Sequence, residues 1–271
     1  MCYYNGQKVT RAEYIRLKQL EKALANYDFL NCDLNIGFDY KHTAVLKPIP
    51  GKEDFDIVEM EWGFRPHFIY DDESLLKMRT GGMNPKTGKY DPPIIMLNAI
   101  GEELFDKVSY KKAAMDKRCL ILSSGFYEWR HIFPANKRTG LPVKTAIKYP
   151  YHIGVKEKEY FYMAGIYSEW TNKTTGEYVE SCAIVTTKAN GLMEQVHNSK
   201  KRMPTILNED LAYEWLFGKL DQKRILEIAA TQYPAEEMFA YPIAKDFIES
   251  IEPTKPFEYD PALLPPLKIA A

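Results

Sequence analysis

The middle of the chain alternates between apolar and polar side chains, which is the pattern of β-strands. Residues 57–64 place Val58, Met60 and Trp62 on one side and glutamates on the other, so they predict a half-buried strand. Residues 118–124 form a continuous apolar run that predicts a buried strand. Further strands are predicted at 143–149, 151–155, 160–166 and 179–187, with tight turns at 137–140 and 172–176.

Helical patterns lie on either side of these strands. Residues 11–27 follow a capping-box pattern and carry apolar residues at helical spacing, which predicts an amphipathic helix. Asn208 and Asp221 have side chains that cap helix N-termini, and each precedes a short helical segment. Residues 79–93 are rich in glycine, proline and lysine and predict a long loop. Strands in the middle with helices around them favour an α+β fold, and no shift in composition marks a second domain.

Composition and charge narrow the class of protein. The 271 residues are 45% hydrophobic, which is typical of a globular protein, and no apolar run approaches the ~18 residues of a membrane span. The four cysteines and five histidines are scattered, so neither a disulfide framework nor a metal site is predicted, and no cofactor is expected. No secretion signal is recognised, so we expect a reduced protein of the cytoplasm. The net charge of −1 argues against a bulk electrostatic nucleic-acid binder but leaves room for a local basic groove.

Cys2 is the first candidate for chemistry. Methionine aminopeptidases remove Met1 when the next residue is small, and Cys2 would then carry a free α-amine beside a free thiol. The amine titrates near pH ~8 and the thiol near ~8.5, so a neighbouring base can activate both. An aldehyde would form an imine with the amine, after which the sulfur would close a five-membered thiazolidine. An ester or amide carbonyl would instead be attacked by the sulfur.

Three further polar residues lie where a hydrophobic core would not need them. Glu128 is flanked by Tyr127 and Trp129, and partial desolvation would raise its pKa and suit it to shuttle protons. Asn98 follows an apolar run and could orient an amine or donate to an oxyanion. His197 has the near-neutral pKa needed to protonate a leaving oxygen or anchor a phosphate. Structural roles stay open: a helix cap for Asn98, the polar side of a strand for Glu128 and a helix surface for His197.

Several short motifs, spread over residues 1–218, give the chain a family resemblance. In order they are Met1-Cys2, Trp62-Gly63-Phe64 with Pro66, Asn98-Ala99 with Glu102, Arg118-Cys119-Leu120-Ile121, Gly125-Phe126-Tyr127-Glu128-Trp129, Ala164-Gly165-Ile166-Tyr167, Ile184-Val185-Thr186-Thr187, His197-Asn198, and Arg202-Met203-Pro204 with Leu207. Their order, with cysteine at position two, resembles the SRAP family (SOS response-associated peptidases, also called abasic-site processing proteins).

The resemblance implies a fold and a setting. The fold is α+β, a single SRAP-like domain over 1–249 on a mixed, largely antiparallel, strongly bent and barrel-like β-sheet with flanking helices. An extended proline-rich tail over 250–271 follows it. The expected partner is single-stranded DNA containing abasic sites, with no membrane partner. We expect a monomer that acts in the DNA damage (SOS) response, in the cytoplasm and on the nucleoid when it is engaged on DNA.

The resemblance also implies a reaction. The ring-opened abasic sugar exposes an aldehyde, the amine of Cys2 attacks it, and the thiol closes a thiazolidine that crosslinks protein to DNA and shields the lesion. Asn98 would orient Cys2, Glu128 would shuttle protons, and His197 would assist sugar ring opening or crosslink reversal. The peptidase name refers to release of Met1, autocatalytic in this interpretation, so the expected enzyme class is hydrolase or protease, or else lyase.

Two departures from the family affect the predicted DNA contacts. Many members carry an arginine after the Cys-Gly start, where this chain has Tyr3-Tyr4, and another where it has Ile100. Tyr3 and Tyr4 could stack on unpaired bases, worth ~1–3 kcal/mol per base. The other predicted DNA-binding residues are Trp62, Arg65, Arg118, Lys200, Lys201 and Arg202. For Arg202 a structural ion pair is an equal alternative, and the 79–93 loop has no predicted role.

Two other functions stay open from the sequence. One is an N-terminal-nucleophile cysteine amidohydrolase, in which the sulfur of Cys2 attacks an amide and its own α-amine is the base. That chemistry needs neither Glu128 nor His197. The other is a non-catalytic nucleic-acid-binding module in which Cys2 is incidental and the aromatic residues are simply core.

Overall fold

The structure is a computed structural model that describes residues 2–136 and 138–268. Met1, whose removal the sequence predicts, and Lys137, which begins a predicted turn, lie outside the described residues. The strands are β1 Tyr4–Lys8, β2 Tyr14–Leu17, β3 Leu20–Ala23, β4 Asn31–Ile36, β5 His42–Pro48, β6 Phe55–Trp62, β7 Gly82–Met83, β8 Tyr90–Asp91, β9 Asn98–Ile100, β10 Arg118–Ser123, β11 Gly125–Ile132, β12 Ile147–Val155, β13 Phe161–Thr171, β14 Tyr178–Lys188, β15 Arg202–Pro204, β16 Ile206–Leu207 and β17 Met238–Pro242. The helices are α1 Asp72–Thr80, α2 Val108–Asp116, α3 Met193–Val196, α4 Glu209–Phe217 and α5 Gln222–Ala229.

A closed barrel of five strands forms the centre of the fold. Strands β6, β5, β10 and β13 pair in that order, each antiparallel to the next, and β13 pairs with β14. The parallel pairing of β14 with β6, at Cys182 and Trp62, closes the ring. The predicted α+β fold with a mixed, strongly bent, barrel-like sheet is therefore confirmed.

A second, antiparallel sheet lies against the barrel, with strand order β17-β12-β11-β1-β4. Buried amides on β1 join the two sheets: Asn5 and Gln7 both donate to the carbonyl of Leu122 on the barrel strand β10, at 3.1 and 2.7 Å. Strand β1 pairs with β11 only at Phe126 and Gly125. Beyond Phe126 the edge of β11 therefore lacks β1 as a partner, and the candidate site lies there.

Besides a small apolar cluster of Tyr127, Ile243 and Phe247, two large ones fill the interior of the described part. One contains side chains of the barrel and of α4 and α5, with Trp215 among its largest members. The other lies between the barrel and the second sheet and contains Cys2, Phe126, Met193 and Val196. Cys2 is thus a fully buried core residue.

The predicted helix over 11–27 is wrong. Strands β2 and β3 form an antiparallel hairpin there, and a short 3₁₀ turn follows. Ile15 and Leu17 are buried while Arg16 between them is exposed, so the apolar residues also satisfy the two-residue period of a strand. Lys18 adopts a left-handed φ of 52°, which fits a tight turn and not a helix interior.

Other local predictions agree better with the structure. The predicted strands at 57–64 and 118–124 correspond to β6 and β10. The end of the predicted strand 143–149 and the predicted strand 151–155 belong to one strand, β12, which begins only at Ile147. Asn208 and Asp221 cap α4 and α5 by accepting backbone N–H groups at 2.9 and 2.8 Å. The 79–93 segment holds the end of α1 and the two short strands β7 and β8.

The chain after Glu249 continues without a named helix or strand through the described residues. It is nevertheless attached to the folded body: Leu264 is buried, and the Tyr259 hydroxyl donates to the carbonyl of Ile243 at 2.8 Å. Among the described residues, no helix has the length and apolar character that crossing a membrane requires.

Candidate active site

Asn98 anchors the start of the chain. Strand β9 runs parallel to β14, with Asn98 opposite Ile184, and the Asn98 Nδ2 donates to the carbonyl of Cys2 at 2.8 Å. The Cys2 thiol donates to the carbonyl of Tyr4 at 3.6 Å. Burial raises the pKa of this thiol above its ordinary value, so the sulfur carries its proton at neutral pH. Asn98 is therefore in β9 and does not cap a helix.

The other amide atom of Asn98 has an unusual environment. Its Oδ1 is buried and accepts no hydrogen bond from any described residue. An unsatisfied buried acceptor costs free energy, so such atoms are rare unless a ligand or a later reaction step supplies the donor. The Asn98 side chain thus holds Cys2 through one atom and keeps a second atom available for a donor.

Glu128 lies on β11, where strand alternation puts it on the same face as Phe126. It is 4% exposed, and burial raises its pKa to about 7. The flanking aromatics do not desolvate this carboxyl group, because their side chains point to the opposite face, where both Tyr127 and Trp129 contact the ring of Phe247. The desolvation is real, and its cause is the core between the two sheets.

His197 directly follows α3, and its ring is buried. Its Nδ1 lies 2.8 Å from the carbonyl of Arg202 and 3.5 Å from Oε1 of Glu128. A carbonyl only accepts, so Nδ1 carries the proton and Nε2 carries the lone pair of the neutral ring. Burial lowers the pKa of His197 to about 4, which makes the ring neutral at pH 7.

Asn198, the residue after His197, is attached to β11 and so fixes the position of His197. Its Oδ1 accepts the backbone N–H of His131 at 2.9 Å, and its Nδ2 donates to the His131 carbonyl at 2.8 Å. The amide therefore pairs with β11 as a neighbouring strand would, on the edge that β1 leaves uncovered. Sequence reasoning quoted Asn198 only as part of a motif, because nothing local indicates a partner 67 residues away.

A cleft of about 330 Å³ opens beside Glu128 and His197. Aromatic side chains form much of its wall: the Tyr3 ring lies 4.7 Å from Phe38, and the Tyr4 ring lies 4.8 Å from Trp129. The same wall includes His131, Lys148, Ser199 and Lys200. Sequence reasoning selected Tyr3, Tyr4 and Lys200 for this region but missed Phe38 and Lys148, which no motif marks.

The structure does not support a DNA contact for Trp62 or Arg118. Trp62 is 1% exposed and donates through Nε1 to the carbonyl of Leu97 at 3.0 Å. Arg118 is buried, and its guanidinium donates to main-chain carbonyls, among them those of Trp215 at 2.8 Å and Gly218 at 2.7 Å. Both residues hold the barrel to the elements around it and do not reach a ligand surface.

Gly63 shows why the motif around Trp62 is structural. Its φ of 149° lies in a region that favours glycine, and a Cβ added there would lie 2.4 Å from Cδ1 of Tyr40. The Gly63 N–H donates to the carbonyl of Cys182 at 3.0 Å, beside the point where β14 closes the barrel. This motif therefore serves the closure of the barrel.

Arg65 and Arg202 also differ from the prediction. Arg65 donates to both carboxylate oxygens of Glu61, at 3.0 and 2.7 Å. Arg202 donates to both oxygens of Glu102, at 3.0 and 2.7 Å, so the structural ion pair is the alternative that the structure supports. These guanidinium groups are already neutralised by carboxylates. Arg202 still contributes to the site through its main-chain carbonyl, which orients the His197 ring.

The remaining basic candidates are at the surface. Lys200 is exposed and lines the cleft, whereas Lys201 has a left-handed φ of 51° and lies 3.9 Å from Glu194. Ile100, at the position of a family arginine, is half-buried at the end of β9. Among residues 2–136 and 138–268, no group of three or more His, Cys, Asp or Glu side chains could hold a metal ion.

Comparisons with known proteins agree with this architecture. Abasic site processing protein YoqW of Bacillus subtilis (strain 168) is 32% identical over 207 residues, which cover 71% of this chain and 86% of that protein. Abasic site processing protein HMCES of Gallus gallus is 27% identical over 223 residues, which cover 74% of this chain and 56% of that protein.

Solved structures show the same fold. A protein from Bacteroides thetaiotaomicron superposes with a TM-score of 0.68 at 26% identity, covering 94% of this chain and 97% of that one. A phage-related protein of Bordetella bronchiseptica superposes with a TM-score of 0.60 at 18% identity, covering 90% and 95%. A family model described as SOS response associated peptidase (SRAP) matches residues 1–249. The chain therefore belongs to the SRAP family.

Proposed function

We propose that this protein processes abasic sites in single-stranded DNA by forming a covalent crosslink through Cys2. The observation that carries the proposal is the proximity of Cys2 to Glu128, since burial first and then the Glu128 carboxylate raise the pKa of the Cys2 thiol. Asn98 bonds to the main chain of Cys2, while His197 and Glu128 are 3.5 Å apart beside the cleft. The names of the relatives YoqW and HMCES support the choice of an abasic site as the substrate.

The first step is attack by the α-amine of Cys2 once Met1 has been removed. The nitrogen lone pair forms a bond to C1′ of the ring-opened sugar, and the aldehyde oxygen takes up a proton, which gives a carbinolamine. Protonated Glu128 then donates to the hydroxyl as it leaves as water, which leaves the Glu128 carboxylate and an iminium ion whose nitrogen keeps one proton. Because the pKa of Glu128 is about 7, its acid form is well populated at neutral pH for this step.

The second step closes the ring through sulfur. The sulfur of Cys2 bonds to the iminium carbon, the C=N π electrons return to nitrogen as a lone pair, and the Glu128 carboxylate formed in the first step takes the thiol proton. The sum is one aldehyde and one aminothiol converted to one thiazolidine and one water. The raised pKa of the buried thiol favours this amine-first order, because little thiolate is present to attack before the imine exists.

Asn98 and His197 support these transfers from fixed positions. Asn98 Nδ2 holds the carbonyl of Cys2, and its Oδ1 can accept from the incoming amine or from a sugar hydroxyl. Neutral His197 presents the Nε2 lone pair, which can accept the sugar hydroxyl proton during ring opening.

The cleft suits a nucleotide in an unpaired strand. Its volume of about 330 Å³ lies within the range of small ligand sites, and Tyr3, Tyr4 and Phe38 offer aromatic surfaces for neighbouring bases. Lys148 and Lys200 supply positive charge for phosphates. We expect a monomer that acts on DNA in the cytoplasm, with autocatalytic release of Met1 as its peptidase activity.

The amidohydrolase alternative is less well supported. It needs the sulfur of Cys2 as the first nucleophile, and burial of the thiol opposes ionisation. It also gives no task to Glu128 and His197, which lie beside the cleft. A non-catalytic binding module would explain the aromatic wall of the cleft but not a carboxylate with a pKa of about 7 inside it.

The proposal is tested with a single-stranded oligonucleotide that carries one abasic site. The protein should form an adduct that survives a denaturing gel, and its intact mass should equal protein without Met1 plus oligonucleotide minus one water. Cys2→Ala keeps an α-amine but has no sulfur, so it should give only an imine that needs borohydride trapping. Cys32→Ala, which removes another free cysteine, should react like the parent.

Two results would contradict the proposal. One is a parent protein that gives no heat-stable adduct while binding the oligonucleotide. The other is an adduct whose mass shows that Met1 is still attached, because the α-amine of Cys2 would then be blocked.

A further inference from the structure

The tail after Glu249 packs on the same core that holds Cys2. Leu264 is 6% exposed and belongs to that cluster, and Tyr259 and Leu267 pack against it. The Tyr259 ring lies 4.9 Å from the ring of Tyr149 on β12. This segment follows residue 249, where the match to the SRAP family model ends.

Polar contacts tie the tail to the two elements that carry the proton-transfer pair. Arg130 lies two residues after Glu128, on the same face of β11, and its Nη1 donates to the carbonyl of Pro265 at 2.5 Å. Gln195 on α3 donates through Nε2 to the carbonyl of Lys268 at 2.9 Å and accepts the Lys268 N–H at 2.7 Å. The tail therefore spans from the strand of Glu128 to the helix that precedes His197.

Helix α3 is too short to be stable without contacts to its neighbours. It comprises only Met193–Val196, a single turn, and helices of that length have little stability of their own. Its next residue, His197, has its Nδ1 3.5 Å from Oε1 of Glu128, and in the proposed function both side chains must keep their positions relative to the same sugar. A displacement of about 1 Å between reacting groups can slow a reaction by ~10²-fold, so small movements of α3 matter.

We infer that the tail segment 259–268 is a clamp that holds α3 against β11 and so sets the separation of His197 and Glu128. The inference rests on the proposed function for its chemical consequence, but the clamp itself is a property of the fold. Gln195 and Leu264 are positioning residues in this account, because neither lines the cleft.

Neighbouring residues offer matched controls for a test on the full chain. Gln195→Ala removes the side chain that bonds to Lys268, whereas Lys268→Ala leaves those main-chain bonds in place. Leu264→Ser removes a buried anchor, whereas Leu263→Ser alters a neighbour that is 52% exposed. Each variant is measured for adduct formation against pH, for binding of an undamaged single strand, and for hydrogen exchange of residues 193–201.

If the tail is a clamp, the two pairs of test and control variants should give the same result. Gln195→Ala and Leu264→Ser should slow adduct formation by about fivefold or more, displace the midpoint of the pH profile, and raise exchange in 193–201, while binding of undamaged DNA stays within about twofold. Both control variants should match the parent in every measurement.

The outcomes separate the clamp from the proposed function. Unchanged exchange and rate in Gln195→Ala and Leu264→Ser overturn the clamp, as does a fall in rate that is the same at every pH and follows the loss of folded protein. If the parent forms no adduct but Gln195→Ala still raises exchange in 193–201, the proposed function fails and the clamp is supported.

Discussion

Two buried glutamates in this protein have opposite electrostatic environments. Glu61 on β6 and Glu128 on β11 are 8% and 4% exposed. Glu61 accepts hydrogen bonds from Arg65 and Arg79 at 2.5–3.0 Å, and these guanidinium groups lower its pKa despite its burial. At Glu128 burial outweighs the groups that favour the anion, and the pKa rises to about 7.

Depth of burial therefore does not distinguish a structural carboxylate from one that can transfer protons. Glu61 stays ionised and joins β6 to α1 through Arg79, which also donates to the carbonyl of Gly63 at 3.0 Å. Glu128 lies beside a cleft, next to a histidine that is itself neutral at pH 7. A carboxyl group with a pKa near the working pH can act as acid and as base, whereas one whose pKa is lowered stays ionised.

Replacing Glu128 by glutamine should give the largest effect. Glutamine keeps the shape of the side chain but cannot exchange a proton, and general acid–base groups typically contribute ~10²–10⁴-fold to a rate. We expect adduct formation to slow by about 10²-fold at pH 7, with little change in affinity for an undamaged strand. Single-turnover kinetics on an abasic oligonucleotide measure this.

The matched variant is Glu61→Gln, which alters the other buried carboxylate. Per folded molecule it should crosslink at the parent rate, because Glu61 does not line the cleft. Equal slowing in both variants would mean that the effect of Glu128→Gln is structural, and the contrast between the two glutamates would lose its functional meaning.

The free energy of unfolding should be lowered more by Glu61→Gln than by Glu128→Gln, which is the opposite of the order expected for the crosslinking rate. Glu61→Gln removes the carboxylate that Arg65 and Arg79 share and leaves Arg65 with only a 3.4 Å contact to Asp72. Breaking a buried ion pair in this way costs about 3 kcal/mol in free energy of unfolding. Glu128→Gln removes an ionisable group whose charged form is disfavoured in the folded protein, so at pH 8 it should not destabilise. Urea titrations of both variants at pH 8 measure the difference.

The pH dependence of unfolding sharpens the contrast, because the two signs are opposite. The pKa of Glu128 rises on folding from 4.5 to about 7, so the unfolded chain loses this proton first. The contribution of Glu128 to the free energy of unfolding is fully present below pH 4.5 and falls as the pH rises. It levels off above about pH 7, after a total loss of about 3 kcal/mol. The pKa of Glu61 is lowered, so its contribution is present at neutral pH and is lost as the solution becomes acidic.

The same urea titrations at pH 4 and pH 8 check these signs. Relative to the parent, the stability of Glu128→Gln should be higher at pH 8 than at pH 4. The stability that Glu61→Gln loses relative to the parent should be smaller at acidic pH than at neutral pH. Parallel pH profiles for parent and Glu128→Gln would show that this carboxyl is not shifted.

The sequence predicts those parts of the fold that local patterns determine. Alternation identified β6, an apolar run identified β10, and side-chain caps identified α4 and α5. The pattern at 11–27 failed because Tyr14, Leu17 and Leu20 recur at helical spacing while Ile15 and Leu17 alternate with exposed Arg16 as in a strand. The choice is made by packing against distant elements such as Tyr160, whose hydroxyl accepts the N–H of Arg16 at 2.9 Å.

The site was predictable in its reactive groups and less so in its walls. The sequence selected Cys2, Asn98, Glu128 and His197 by residue type and family motif. In the structure Asn98 bonds to the main chain of Cys2, and His197 lies 3.5 Å from Glu128. The predictions for the arginines failed because charge alone does not reveal a partner: Arg118, for example, is satisfied by carbonyls up to 100 residues away.

The basic side chains show the same contrast as the two glutamates, and a change in one of them should give the smallest effect. Arg65 and Arg79 are committed to Glu61, whereas Lys200 is exposed on the wall of the cleft. Lys200→Gln should weaken binding to single strands a few-fold and reduce the slope of log affinity against log salt by about 0.7, the value for one phosphate contact. Lys223→Gln, an exposed lysine outside the cleft wall, is the control and should leave the slope unchanged. Fluorescence anisotropy between 50 and 200 mM salt measures both slopes. If Lys200→Gln and the parent have the same slope, the DNA backbone does not contact Lys200, and Lys148 is the next lysine to test.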